Sequence, residues 1–181
     1  MKHKILVVVD VQNDFITGSL GSTTAQERVG NIVNKIKNFN GECIFVTRDT
    51  HDEDYLETKE GKNLPVTHCV KGTDGWMVHP AVSKVLMDYD VQEKCQVFYI
   101  NKPTFGSSAL GQEIAAIRGD LEIEIVGFCT DICVVSNALI IKSCVYDRAE
   151  ITVDSKCCAG TSAGAHDAAL LVMKKCQINV V

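Results

Sequence analysis

"LEIEIVGFCTDICVVSNALIIKSCV" runs from residue 121 to residue 145, and the way it divides decides the fold. Leu121–Phe128 reads as a strand that becomes fully apolar toward its end, and 132–146 reads as a helix. Only "CTD" stands between them. The same strand-to-helix unit recurs along the chain. Strands are expected at "KILVVVD" (4–10), "ECIFVTRD" (42–49), "QVFYIN" (96–101), "EITVDS" (150–155) and "QINVV" (177–181). Most are near-continuous apolar runs, as strands covered on both faces require. Helical stretches are expected at roughly 24–39, 79–89, 109–118 and 163–175. In the first of these Val29, Ile32, Val33 and Ile36 repeat at the helical period. This alternation predicts an α/β fold: a three-layer α-β-α arrangement around a six-stranded parallel sheet. The common doubly wound strand order, 3-2-1-4-5-6, is expected, with residues 1–181 as a single domain.

The composition excludes several classes. A net charge of −5 with no basic stripe argues against nucleic-acid binding. The apolar runs are strand-sized, so no membrane span is expected. "MKHK" passes straight into "ILVVVD" without the pattern of a signal peptide, and a cytoplasmic location is expected. Nine cysteines are many, but the number is odd, no CxxC occurs, and Cys43, Cys95, Cys144 and Cys176 lie in or beside apolar segments. Reduced cysteines there act as small hydrophobes rather than as a disulfide framework.

In doubly wound sheets ligands bind beyond the carboxyl ends of the strands, where the strand order reverses. Asp10 ends the first strand, Lys102 follows the third, and Cys129 and Cys133 follow the fourth, so three reactive residue types converge on one crevice. Cys133 starts a helix for which Thr130 or Asp131 would serve as N-cap. The helix dipole and Lys102 would both lower the pKa of its thiol. Asp10 could then shuttle the proton, and amides of the preceding turn could hold an oxyanion. Two buried core thiols describe the same residues equally well. The charge-rich stretch 49–78 contains Asp49, His51 and His68. A strand-end Asp-x-His with a distant His is compatible with a divalent metal that keeps open positions, or with solvated loop residues.

Three blocks, "VVVDVQNDF" (7–15), "NKPTFGSSA" (101–109) and "GFCTDICV" (127–134), occur in order over nearly the whole chain. Together they resemble the signature blocks of the isochorismatase-like cysteine hydrolase superfamily, the nicotinamidase group included. The resemblance implies a triad in which Asp10 accepts and donates protons, Lys102 favours the thiolate and Cys133 is the nucleophile. It implies a cis peptide between Phe128 and Cys129, with the amides of Cys129 and Cys133 binding the oxyanion. It also implies that Phe15 lines the substrate pocket. Phe105 could flank that pocket, and Trp76 could shield it or merely pack. Gln12 or Asn13 could orient Asp10, and Ser107 or Ser108 could cap a helix.

"RDTH" (48–51) and "HCVKGTDG" (68–75) resemble the metal-binding blocks of nicotinamidases, which carries ligation over to Asp49, His51 and His68. Glu60 is chosen as an acidic fourth ligand, with Glu57 and Glu53 as rivals; zinc is the prior, with manganese and iron as alternatives. Cys69 beside His68 is assigned to packing. The sequence also departs from the nicotinamidase pattern. Thr50 stands where an aromatic is common, and "PVTH" carries its single Pro65 set back from His68. The implied activity is hydrolysis of a small carboxamide, nicotinamide first, through a thioester. An N-carbamoyl or ureido amidohydrolase and a noncatalytic metal- or ligand-binding relative are the alternatives. The expected partner is a small-molecule amide, with homo-oligomers common in the family.

Overall fold

The computed structural model describes residues 2–92 and 95–181. Its six strands are β1 (Lys2–Val9), β2 (Cys43–Asp49), β3 (Gln96–Lys102), β4 (Asp120–Phe128), β5 (Ala149–Ala159) and β6 (Asn179–Val180). They form one sheet in the order β3-β2-β1-β4-β5-β6, and every pairing is parallel. The helices are α1 (Asn13–Ile16), α2 (Thr23–Lys37), α3 (Lys59–Asn63), α4 (Pro80–Val91), α5 (Ser108–Ala116), α6 (Val135–Val145) and α7 (Ala163–Lys175). Fold class and strand order are those expected from the sequence.

Two apolar cores explain why β1 lacks alternation. Leu6 and Val8 face one side, against Val29, Ile32 and Ile36 of α2 and Val82 and Leu86 of α4. Ile5, Val7 and Val9 face the other, against Leu110 and Ile114 of α5, Ala138 and Ile141 of α6 and Met173 of α7. A central strand sandwiched in this way must be apolar on both faces. No helix among the described residues is long and apolar enough to cross a membrane.

Three departures from the sequence reading bear on the site. The stretch 49–78 is not wholly irregular: it holds a 3-10 turn at Tyr55–Glu57 and the five-residue α3. "KEGKN" has no apolar period to announce it; the hydroxyl of Thr58 caps it by accepting from Gly61 N at 3.0 Å. β5 continues past 155 to Ala159, because after an irregularity it rejoins β4 through Gly127–Cys158 and Phe128–Ala159. The third is a π turn, Thr130–Val134, which precedes α6.

Gly127 lies at that β4–β5 irregularity. Its φ of +125° lies where side chains are rarely tolerated, and an added Cβ would collide with the Val9 carbonyl of the neighbouring strand. Gly127→Ala is expected to cost about 3–5 kcal/mol or to prevent folding. Gly30→Ala, within α2 and with nothing inside 4 Å of the new methyl, is expected to stabilise by about 0.5–1 kcal/mol. Urea unfolding of the two variants beside the parent checks both signs.

Candidate active site

The carboxyl ends of β1, β2, β3 and β4 open onto one crevice. Asp10 follows β1 with a φ of +49°, Asp49 and Lys102 end β2 and β3 as register partners, and Cys133 lies in the π turn after β4. β3 is two strands from β1, a separation of about 10 Å at the usual spacing. The long lysine stem crosses that gap beneath the end of β2. Its ammonium lies 2.6 Å from Asp10 Oδ2, 3.3 Å from Asp49 Oδ1 and 3.5 Å from Cys133 Sγ, and it donates to the Thr104 carbonyl at 3.0 Å. Asp10 and Lys102 are almost wholly withdrawn from solvent, at 0% and 1% exposure.

Burial works against the Lys102 charge, yet Asp10, Cys133 and Asp49 together hold its pKa well above the ordinary lysine value. Asp10 is raised by burial, with Lys102 pulling it back. Cys133 is pushed well up by burial and by the Asp10 charge, against the pull of Lys102. This corrects the expectation of a lowered thiol pKa: the thiol is buried, and the one cation beside it is shared with two carboxylates.

The helix cap expected from Thr130 or Asp131 is likewise absent. Cys129 occupies the N-cap position, its carbonyl accepting from Ile132 N at 3.1 Å and Val134 N at 3.0 Å. Thr130 Oγ1 instead pairs with His166 Nδ1 at 2.8 Å, and Asp131 accepts from the Thr161 amide and hydroxyl at 2.8 and 2.6 Å. Both side chains tie the turn to the end of β5 and the start of α7. The Phe128–Cys129 peptide is cis.

In front of Cys133 lies a cavity of about 300 Å³, lined by Phe15, Leu20, Leu64, Phe105, Phe128 and Ile132 among others, together with Cys129 and Cys133. Trp76 is not among the lining residues. Its indole donates to Thr50 Oγ1 at 2.8 Å and its ring lies 4.2 Å from the Arg48 guanidinium, so it packs on the β2 end rather than shielding the pocket. Leu20, Leu64 and Ile132 were not anticipated, since isolated apolar residues in loops carry no chemical signal.

Asp49, Glu60 and His68 line the same cavity, and with His51 they form a four-residue donor cluster whose ligand atoms lie within 4.8 Å of one another. His51 Nε2 and His68 Nε2 approach Asp49 Oδ2 at 3.0 and 3.4 Å, and Glu60 Oε1 lies 3.7 Å from His51 Nε2. The Val66 carbonyl accepts from His68 Nδ1 at 2.8 Å, which turns Nε2 toward the cluster. Two imidazoles and two carboxylates at these separations fit a divalent cation about 2.0–2.2 Å from each donor after small movements. Glu53 and Glu57, the rivals of Glu60, are exposed on the surface. Cys69 is buried, its thiol pushed up by burial, and its amide donates to Asp14 Oδ2 at 2.7 Å.

Gln12 and Asn137 do positioning work. Gln12 holds Asp49 rather than Asp10: it donates to the Asp49 carbonyl at 2.8 Å and accepts from the Asp49 amide at 2.7 Å. Asn13 donates to the Asp74 carbonyl, away from Asp10. Asn137, fully buried on α6, donates to the carbonyls of Cys133 and Phe105 at 2.8 and 3.2 Å and accepts from Ser107 N at 3.0 Å. It thereby clamps the loop after β3 to the turn bearing the thiol. Ser107 caps α5 through Leu110 N.

A parallel sheet in this order, with an acid, a lysine and a cysteine meeting beyond its strand ends, defines a cysteine-hydrolase type of α/β protein. The isochorismatase domain model matches residues 4–181, and the chain belongs to that family. It is 31% identical over 145 residues to an uncharacterized isochorismatase family protein, PncA, of Bacillus subtilis (strain 168), covering 75% of this chain and 76% of that one. The pyrazinamidase/nicotinamidase of Streptococcus mutans UA159 superposes with a TM-score of 0.85 at 26% identity, over 98% of this chain and 99% of that one. A pyrazinamidase of Pyrococcus horikoshii, solved in complex with zinc, shares the fold at a TM-score of 0.74 and 22% identity, over 99% and 98%.

Lys102→Met removes the cation between two buried carboxylates and is expected to cost about 3–5 kcal/mol at neutral pH. Asp10, already raised by burial, rises further when its counter-charge is lost. Stability linked to a raised carboxyl is full below its unfolded pKa and is lost as pH climbs through the folded one. The deficit of the variant should therefore be larger in urea unfolding at about pH 7.5 than at about pH 5.

Proposed function

We propose that the protein is a cysteine-dependent amidohydrolase that converts nicotinamide to nicotinate and ammonia through a thioester on Cys133. One observation carries this reading: Cys133, beside Lys102 and Asp10, lines the same apolar cavity as Asp49, Glu60 and His68 of the donor set. A thiol with its own base suits attack on an amide carbonyl, and a neighbouring N/O donor set suits a heteroaromatic ring. Ureides would use the same thiol without needing those donors, which favours the pyridine carboxamide.

In this reading Asp10 takes the Cys133 proton as the sulfur attacks the amide carbon. The amides of Cys129 and Cys133 receive the oxyanion of the tetrahedral adduct. Asp10 returns the proton to the leaving nitrogen, ammonia departs, and the thioester remains. Asp10 then takes a proton from water as it attacks the thioester, and the thiol is restored with release of nicotinate. Lys102 keeps its charge throughout and holds the carboxylate and sulfur together. Phe15 and Phe105 sandwich the ring and exclude water. A divalent metal held by Asp49, His51, Glu60 and His68, zinc by preference, supplies when bound a Lewis-acid anchor for the ring nitrogen.

Purified protein should release ammonia from nicotinamide, with Cys133→Ala lowering kcat/KM by about 10³-fold or more. Equal turnover by the variant would remove the assignment. Because Asp10 must be ionised to act and burial raises it, the acid limb of kcat/KM should lie above the ordinary aspartate range. His68→Ala should lower the bound metal measured by elemental analysis. Chelation should abolish nicotinamide hydrolysis, whereas turnover of a ureide but not of nicotinamide, unchanged by chelation, would favour the ureido alternative.

A further inference from the structure

Asp10 has two carboxylate oxygens in different surroundings. Oδ1 accepts from the hydroxyl of Thr47 at 2.6 Å. Oδ2 pairs with Lys102 Nζ at 2.6 Å, and the Asp10 side chain also interacts with the Cys133 thiol. The same Thr47 hydroxyl accepts from Asp10 N at 3.2 Å, and the Thr47 carbonyl accepts from that amide at 3.2 Å as well. One fully buried side chain therefore grips both ends of Asp10, donating to its carboxylate and accepting from its backbone. The grip falls on a residue whose φ is +49°, a conformation in which a non-glycine backbone needs outside support.

We infer that Thr47 is a positioning residue for the proton transfer: its hydroxyl immobilises Oδ1, so that Oδ2 alone, beside Lys102 and Cys133, exchanges the proton. This rests on the reading of Asp10 as the base for Cys133. A carboxylate free to turn about its Cβ–Cγ bond would present either oxygen to the lysine and would place neither reliably for the thiol. Valine matches the shape of threonine but can neither donate to Oδ1 nor accept from the amide. Serine does both, with loss of one methyl. The clasp is thus a property of the hydroxyl and separable from packing. Thr47 lies on β2 two residues before Asp49, so one strand end holds the base through its hydroxyl and contributes to the donor cluster through its carboxylate.

The test uses alkylation of Cys133 by iodoacetamide in the intact protein, followed by mass spectrometry of the Cys133 peptide, a readout that needs no substrate. Thr47→Val, Thr47→Ala, Thr47→Ser and Asp10→Asn are compared with the parent, each confirmed as folded by circular dichroism. Alkylation in Thr47→Val and Thr47→Ala is expected to slow on the order of 10-fold to 100-fold, with Thr47→Ser within a few-fold of the parent. With nicotinamide the same loss should fall on kcat and leave KM nearly unchanged. If Thr47→Val does not fold, the contrast between Thr47→Ala and Thr47→Ser decides. Equal alkylation rates for Ala, Ser and parent overturn the inference while leaving the triad standing. A rate unchanged in Asp10→Asn would instead overturn the triad reading itself.

Discussion

A lysine ammonium buried between two carboxylates and a thiol is the constraint on which the site depends. Lys102 is withdrawn from water, so its charge needs partners, and Asp10 and Asp49 supply them at 2.6 and 3.3 Å. Each carboxylate then serves a second purpose. Asp10 interacts with the Cys133 thiol, and Asp49 faces the imidazoles of His51 and His68. The thiol of Cys133 and the donor cluster are therefore coupled electrostatically through one side chain. Withdrawing it would leave two negative charges facing each other in a low-dielectric crevice.

The sheet makes that coupling geometrically available. In a parallel sheet all strand ends of one kind lie on one edge, and the reversal of strand order beside β1 opens a crevice between the flanking helix layers. Asp49 and Lys102 end β2 and β3, and Asp10 directly follows β1, so three adjacent strands held in register by ladders whose spacing cannot stretch bring them together. The fourth contributor is a turn rather than a strand. It is pinned by Asp131 and Thr130, whose partners lie after β5 and on α7, and by Asn137 of α6, which joins the Cys133 carbonyl to the loop after β3.

Much of this was legible in the residues. The apolar runs of β1 and β4 specify strands buried on both faces, and their alternation with amphipathic helices specifies a parallel layered sheet. Asp10, Lys102, Cys133 and three of the cluster's donors could be picked out because ordered blocks of sequence resemble those of a known family, residue type alone leaving the cysteines as core thiols and the histidines as loop residues. Other parts were not legible, each for a physical reason. The thiol of Cys133 was expected to be acidic from its neighbours, but burial outweighs a cation already shared with two acids. Asp131 looks like a helix cap in sequence, yet Thr161, thirty residues away, claims its oxygens. Trp76 lies in a site-proximal loop and still turns its ring to Arg48.

Sequence by itself determined the six strands, the main helices and the family, because periodicity and ordered motifs are local properties of the chain. Tertiary structure alone decided which oxygen of Asp10 is held by Thr47, that Gln12 holds Asp49, and that Glu60 rather than Glu53 or Glu57 joins the cluster. Those choices depend on contacts between segments far apart in sequence, and on how far each group is withdrawn from water. No local pattern encodes either quantity.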